Sequence, residues 1–235
     1  MTLKHKVAVV TGGSDGIGKQ IVLKLAAQGV HVAILGRNTE RLTAVEQEAV
    51  KAGSPKAKSY VCDIKSFSMM KESVGRILHE FGSVDILINN AGIWQKKMPL
   101  EELEEGVVDE VIQTNLTAQI HLTRLLLPTL QKQKEAAIIN VISKSGVTSP
   151  IGQSIYSASK WGMTGFTEVL KADLHGSNVR VAGVYQSGTR TDIFMKTREK
   201  LSTENFTDPA DLADVIVFML SRPPKIWLHD VRVEH

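Results

Sequence analysis

The chain has 235 residues, 43% of them hydrophobic, enough to bury one large α/β core, and it is expected to form a single unit spanning 1–235. Its 28 basic residues against 25 acidic ones leave a formal net charge of +3, too mild a balance for a nucleic-acid binder. A lone cysteine, Cys62, excludes a disulfide framework and suits a reducing cytoplasm, while no stretch approaches a membrane span or a secretory leader.

From the N-terminus, "KVAVVTGG" is a β-branched strand ending in a glycine turn, and "GIGKQIVLKLAAQG" follows with helical apolar spacing until Gly29. "VHVAILG" is a second strand, and "NTERLTAVEQEAVKAG" a helix opened by Asn38 or Thr39 and closed by Gly53. "KSYVCD", "IKSFSMMKESVGRILHEFG" and "VDILINNAG" continue as strand, helix and strand, with Cys62 read as a small buried hydrophobe. A long helix is expected from about Glu104 to Gln133, then the strand "AIINVIS", the helix "SIYSASKWGMTGFTEVL" and the strand "NVRVAGVY". An irregular polar stretch precedes the helix "PADLADVIVFMLS", whose Pro209 suits a first turn, and "IWLHDVRVEH" closes as a strand. Strict alternation predicts an α/β, Rossmann-type doubly wound parallel sheet of about seven strands with helices on both faces. Such sheets bind ligands beyond the carboxyl ends of their strands.

The chemistry-bearing residues fall at those ends. "TGGSDGIG" sets Gly12, Gly16 and Gly18 between the first strand and helix, where glycine lets backbone approach a pyrophosphate at a helix N-terminus. Ser14, Asp15 and Ile17 share that turn as candidate cofactor contacts. After the second strand comes Gly36-Arg37-Asn38, with no carboxylate to bond a ribose 2′-hydroxyl. Arg37 therefore favours NADP over NAD, which remains possible, although Asp15 weakens the preference. On the helix "SIYSASKWGMTGFTEVL" Tyr156 and Lys160 are four apart and share a face, so a cation neighbours a phenol. At ~4 Å and an effective dielectric of ~20, that cation supplies the roughly 4 kcal/mol that brings a phenol's pKa from ~10 to ~7. Ser143, ending a buried strand, offers a hydroxyl to the oxygen that receives the proton.

Taken in order, the Gly12/Gly16/Gly18 turn, Asp63, "NNAG" at 89–92, Asn115, Ser143, Tyr156 and Lys160 resemble the short-chain dehydrogenase/reductase family over almost the whole chain. The resemblance implies that Asp63 bonds the adenine amino group, that Ile64 flanks its ring, and that Asn90, Ala91 and Gly92 line the adenosine ribose. It further implies hydride transfer between a nicotinamide and a carbonyl or alcohol, with Tyr156 as acid/base and Ser143 holding the oxygen. Lys160 then grips the nicotinamide ribose, and Asn115 keeps a water that links it to solvent. The sequence departs from the family after the sixth strand, where Gln186 and Ser187 replace Pro-Gly; Thr189 and Thr191 are left to serve the carboxamide and phosphate. The family also implies a homodimer or homotetramer through the long fourth helix and the Tyr156 helix. An NADP-binding sensor or scaffold with little turnover is the alternative, and a sugar-nucleotide epimerase is disfavoured by length and glycine spacing.

A short lid is expected near 192–206. Lys96, Lys97, Lys144, Arg190, Lys196, Arg198 and Lys200 are candidates for a basic mouth, read mainly as solvated charge. Trp94 is either a pocket wall or ordinary packing, and Trp161 core or interface. No histidine or cysteine spacing fits a metal site, and neither a membrane nor a nucleic acid is expected as partner.

Overall fold

Seven runs of β-branched and small apolar residues lie side by side as one parallel sheet: β1 (Val7–Thr11), β2 (His31–Gly36), β3 (Ala57–Val61), β4 (Ile86–Asn89), β5 (Ala136–Val141), β6 (Val179–Gln186) and β7 (Asp230–Val233). A computed structural model describes residues 1–197, 199, 202–223 and 225–234. The spatial order is β3-β2-β1-β4-β5-β6-β7, so the chain starts at the centre, runs to one edge, returns beside β1 and runs to the other. The reversal between β1 and β4 leaves a crevice at their carboxyl ends, as expected for this topology.

Because successive side chains of a strand point to opposite faces, each apolar run feeds two cores. Ala8 and Val10 join Ile34, Ile21, Leu25, Leu42 and Ile216 on the face covered by α1 (Gly16–Ala27), α2 (Thr39–Ala52) and α7 (Pro209–Ser221). Val7 and Val9 join Leu35, Met70, Ile77, Leu122 and Leu170 on the other, under α3 (Phe67–Phe81), α5 (Ala118–Leu130) and α6 (Ser154–Asp173). The Rossmann-type doubly wound sheet is therefore as the alternation predicts.

Local chemistry sets the helix ends. Asn38 is the cap of α2, its side chain accepting from the Arg41 amide at 2.8 Å, and Gly53 closes the helix at φ 117°. Pro209 opens α7 behind the Asp208 cap.

Three stretches gain detail. The long fourth helix is present and runs without interruption from Glu105 to Leu130, as α4 (Glu105–Ile112), a π turn at Gln113–Thr117, and α5. The last strand is confined to Asp230–Val233 rather than the whole of "IWLHDVRVEH". Among the described residues of 192–206 there is a short 3-10 turn, Met195–Thr197; Arg198, Lys200 and Leu201 lie outside the described residues. Among the described residues no helix is long and apolar enough to cross a membrane.

Candidate active site

A cleft runs along the carboxyl ends of the strands, from Gly36, Arg37, Asp63 and Ile64 at one end to Val141, Tyr156, Lys160 and Gln186 at the other. Gly12, Ser14, Asp15, Gly16, Ile17 and Gly18 line its floor, and Asn90, Ala91, Gly92 and Thr191 lie on its walls.

Glycine is required at the floor for steric reasons. Gly12 and Gly16 hold φ of 63° and 50°, and a Cβ on Gly18 would meet the Gly12 carbonyl oxygen at 2.2 Å. The "NNAG" segment is tied to this turn: the Asn90 and Ala91 amides both donate to Thr11 Oγ1 at 2.9 Å, and Asn90 Nδ2 donates to the Thr11 carbonyl. Asp15 caps α1 by accepting from the Gly16 amide at 2.8 Å. Its other oxygen bonds Arg41 at 2.5 Å and Lys196 at 3.4 Å, so the carboxylate that weighed against NADP is itself neutralised. Arg41 and Lys196 thus hold one carboxylate at this end, where Arg37 also lines the cleft.

At the other end the side chains are buried. Tyr156 is 6% and Lys160 5% exposed, one turn apart on α6, with the ammonium 5.8 Å from the phenol ring centroid. Lys160 Nζ donates to the Val141 carbonyl at 3.3 Å, and the Tyr156 and Ser143 hydroxyls are hydrogen-bonded. The predicted direction of the phenol's shift is reversed. Burial pushes Tyr156 up to about 12, with the Ser143 bond pulling the other way, and burial brings Lys160 down to about 8. The sequence estimate counted the attraction of the charge and left out the desolvation of both groups, which here is the larger effect.

Asn115 sits in the π turn and is clamped to the segment after "NNAG": its Oδ1 accepts from the Ile93 amide at 2.8 Å, and its Nδ2 donates to the Ile93 carbonyl and to Ser159 Oγ. The next two residues of that segment reach Tyr156, a connection that sequence reasoning missed. Trp94 packs on the Tyr156 ring at 4.7 Å between centroids. Gln95, 1% exposed, accepts through Oε1 from the Ile155 and Tyr156 amides at 3.1 and 2.9 Å, while its Nε2 donates to the Lys96 and Gly152 carbonyls. Gln95 therefore caps the Tyr156 helix from a distant loop.

Three predicted residues stand off the cleft. Ser143 and Asn115 lie behind its lining, reaching it through Tyr156 and Ile93, and Thr189 is buried in a bridge to Thr207. Leu35, Cys62, Ile93, Thr114, Gln186, Asp192, Ile193 and Lys196 line the cleft without having been singled out as cofactor contacts. Cys62 is buried as expected, its thiol pushed up by burial. Of the basic-mouth candidates, Lys144 pairs with Glu234, Arg190 with Asp208 and Lys196 with Asp15. Trp161 is 48% exposed, which excludes a core role.

A family model described as short chain dehydrogenase matches residues 6–202. The chain is 33% identical over 230 residues to a 3-oxoacyl-acyl-carrier-protein reductase of Thermotoga maritima, covering 94% of this chain and 92% of that protein. It is 30% identical over 236 residues to an uncharacterized oxidoreductase of Staphylococcus epidermidis, covering 98% and 97%. A solved metagenomic short-chain oxidoreductase in complex with NADP matches with TM-score 0.85 and 31% identity over 100% of this chain and 99% of that one. With the family match covering most of the chain and relatives aligned along nearly their whole length, the protein belongs to the short-chain dehydrogenase family of oxidoreductases.

Proposed function

We propose that the protein transfers hydride between NADP(H) and a carbonyl or secondary alcohol, with Tyr156 as acid/base. The observation that carries this is the position of Tyr156: it lines the cleft, is bonded to Ser143, and has Lys160 one turn away. The cleft suits a dinucleotide, since its floor is kept free of side-chain carbons where a Cβ on Gly18 would collide, and the N-terminus of α1 opens onto it. Arg37, Arg41 and Lys196 favour a 2′-phosphate, and the NADP carried by a solved relative agrees.

Hydride chemistry is the cofactor's contribution when bound. The chain's own residues handle the oxygen. A phenol pushed up to about 12 keeps its proton throughout the neutral range, so Tyr156 is set to donate it to a carbonyl oxygen that Ser143 also holds. Lys160, brought down to about 8, is close to balance between its two forms and can resupply that proton. Both Asn115 side-chain hydrogens are taken by Ile93 and Ser159, so its part in a water path falls to its backbone carbonyl in the π turn.

The chain acts as one unit with 192–206 as lid, in the cytoplasm. It pairs through α4, α5 and α6, where Val108, Trp161 and Val169 are 37%, 48% and 61% exposed. The test is NADPH oxidation with a panel of ketones, aldehydes and acyl thioesters. Tyr156→Phe is expected to lower kcat by about 10²–10⁴ while NADPH affinity in calorimetry stays put. Retention of most of the activity overturns the assignment.

A further inference from the structure

Only 5% of the chain is aromatic, yet four such residues form a continuous row beginning at the proposed acid. Tyr156 touches Trp94 at 4.7 Å, Trp94 touches Phe194 edge-on at 4.9 Å, and Phe194 touches Phe206 edge-on at 5.6 Å. Trp94, Phe194 and Phe206 do not line the cofactor cleft, whereas Tyr156 does. Tyr156 is therefore the one member of the row that also lines the cleft. A carbonyl oxygen bonded to that phenol brings its carbon substituents next to the row that the phenol begins. Trp94 Nε1 donates to Glu199 Oε2 at 2.6 Å, so the polar edge of the indole is spent on the lid and its faces remain for packing. Phe206 is also fixed: a Cβ on Gly188 would meet its ring at 2.6 Å, so the residue beneath it has to be glycine.

We infer that this row is the substrate wall and that the preferred substrates are flat, uncharged aryl ketones and aldehydes stacked on Trp94. The inference rests on the hydride-transfer reading above. Aromatic stacking adds to burial of equal area, which amounts to about a three- to tenfold preference over a straight-chain ketone of equal carbon count.

Binding tests it without turnover. The Tyr156→Phe protein saturated with NADPH is titrated in a calorimeter with propiophenone and with its straight-chain counterpart. Propiophenone is expected to bind about fivefold tighter. Trp94→Phe in that background should keep the preference and Trp94→Leu should lose it. Equal affinities, a preference that survives in Trp94→Leu, or no binding of either ketone overturns the substrate class. Failure of the wild-type protein to oxidise NADPH with any carbonyl instead overturns the hydride-transfer reading, so the two failures are distinguishable.

A separate observation concerns Gln186, at the end of β6 where the family has proline. It lines the cleft with Tyr156 and Lys160, and its Oε1 is buried with no hydrogen-bond partner among the described residues. Such an acceptor is costly to leave alone. The geometry points to a primary amide as its partner: the carboxamide of the nicotinamide, whose N–H donates to Gln186 Oε1. The departure from the family is then a binding contact in place of a stiff loop. Calorimetric affinities for NADP and for its acetylpyridine analogue, which lacks the amide N–H, decide the matter. The wild-type protein is expected to favour NADP by about tenfold and Gln186→Leu to bind the two alike. Discrimination that is the same in both proteins overturns the contact.

Discussion

At the β1–β3 end of the cleft the walls are glycine backbone and exposed charge, whereas at the β5–β6 end they are buried side chains whose protonation burial has shifted. The first end needs shape and cations to accept phosphates, and water can share the load. The second holds a phenol and an ammonium out of water, and that arrangement costs stability. Binding and chemistry thus draw on the fold in opposite directions.

Lys160→Met separates these directions most sharply. The folded pKa of about 8 lies below the ordinary 10.5, so the folded state resists the charged form. The sign follows: below pH 8 the full penalty is present, and it fades as pH rises from about 8 toward 10.5, where the unfolded chain also loses the proton. A shift of that size corresponds to roughly 3 kcal/mol. Lys160→Met is therefore expected to be about 3 kcal/mol more stable in urea at neutral pH, and nearly inactive. The wild type should gain on the variant as pH approaches 10. A variant less stable at pH 7 would show that the ammonium is well accommodated. The same pKa puts a break in the reductive kcat/KM profile, which is expected to fall above about pH 8.

Gly18→Ala acts at the opposite end. Its Cβ would stand 2.2 Å from backbone oxygen, so the turn must move, at a cost of about 3 kcal/mol, and NADPH binding should vanish in calorimetry. Gln95→Ala is the matching lesion beside Tyr156. It leaves the buried Tyr156 amide and its Ile155 neighbour unpaired, at about 2 kcal/mol. The expected loss is in kcat more than in NADPH affinity. Gln95→Met, which keeps the volume and loses both the acceptor and the donor, should match Gln95→Ala in kcat; a Gln95→Met protein that recovers wild-type kcat would make Gln95 merely a space-filler.

The same contrast explains what could be read beforehand. Strand and helix order, the glycine turn and the Tyr156/Lys160 pair follow from local spacing, and the sheet fulfils them. The π turn at Gln113–Thr117 carries no breaker residue; it comes with the clamp between Asn115 and Ile93, 22 positions away. Gln95 caps a helix 61 positions on, and no short-range pattern announces that. The phenol's upward shift depends on how completely α6 is covered, which spacing does not encode. Local rules reached the phosphate end because backbone and glycine build it, and fell short where distant side chains meet.

The smallest expected effect tests the charged corner. Arg37 is exposed and lines the cleft, while Arg41 and Lys196 are drawn in by Asp15. Surface charges are screened, so no single one dominates. Arg37→Ala is expected to lower kcat/KM with NADPH about threefold and leave the value with NADH unchanged, narrowing the ratio between them. Asp15→Asn removes the carboxylate that competes with a 2′-phosphate for Arg41 and Lys196, so the ratio should widen by a few-fold at low salt and return toward wild type in 0.5 M salt, where the screening length is a few Å. A ratio that Arg37→Ala leaves untouched would move the 2′-phosphate site away from this corner, and the glycine-turn end would then owe its selectivity to shape alone.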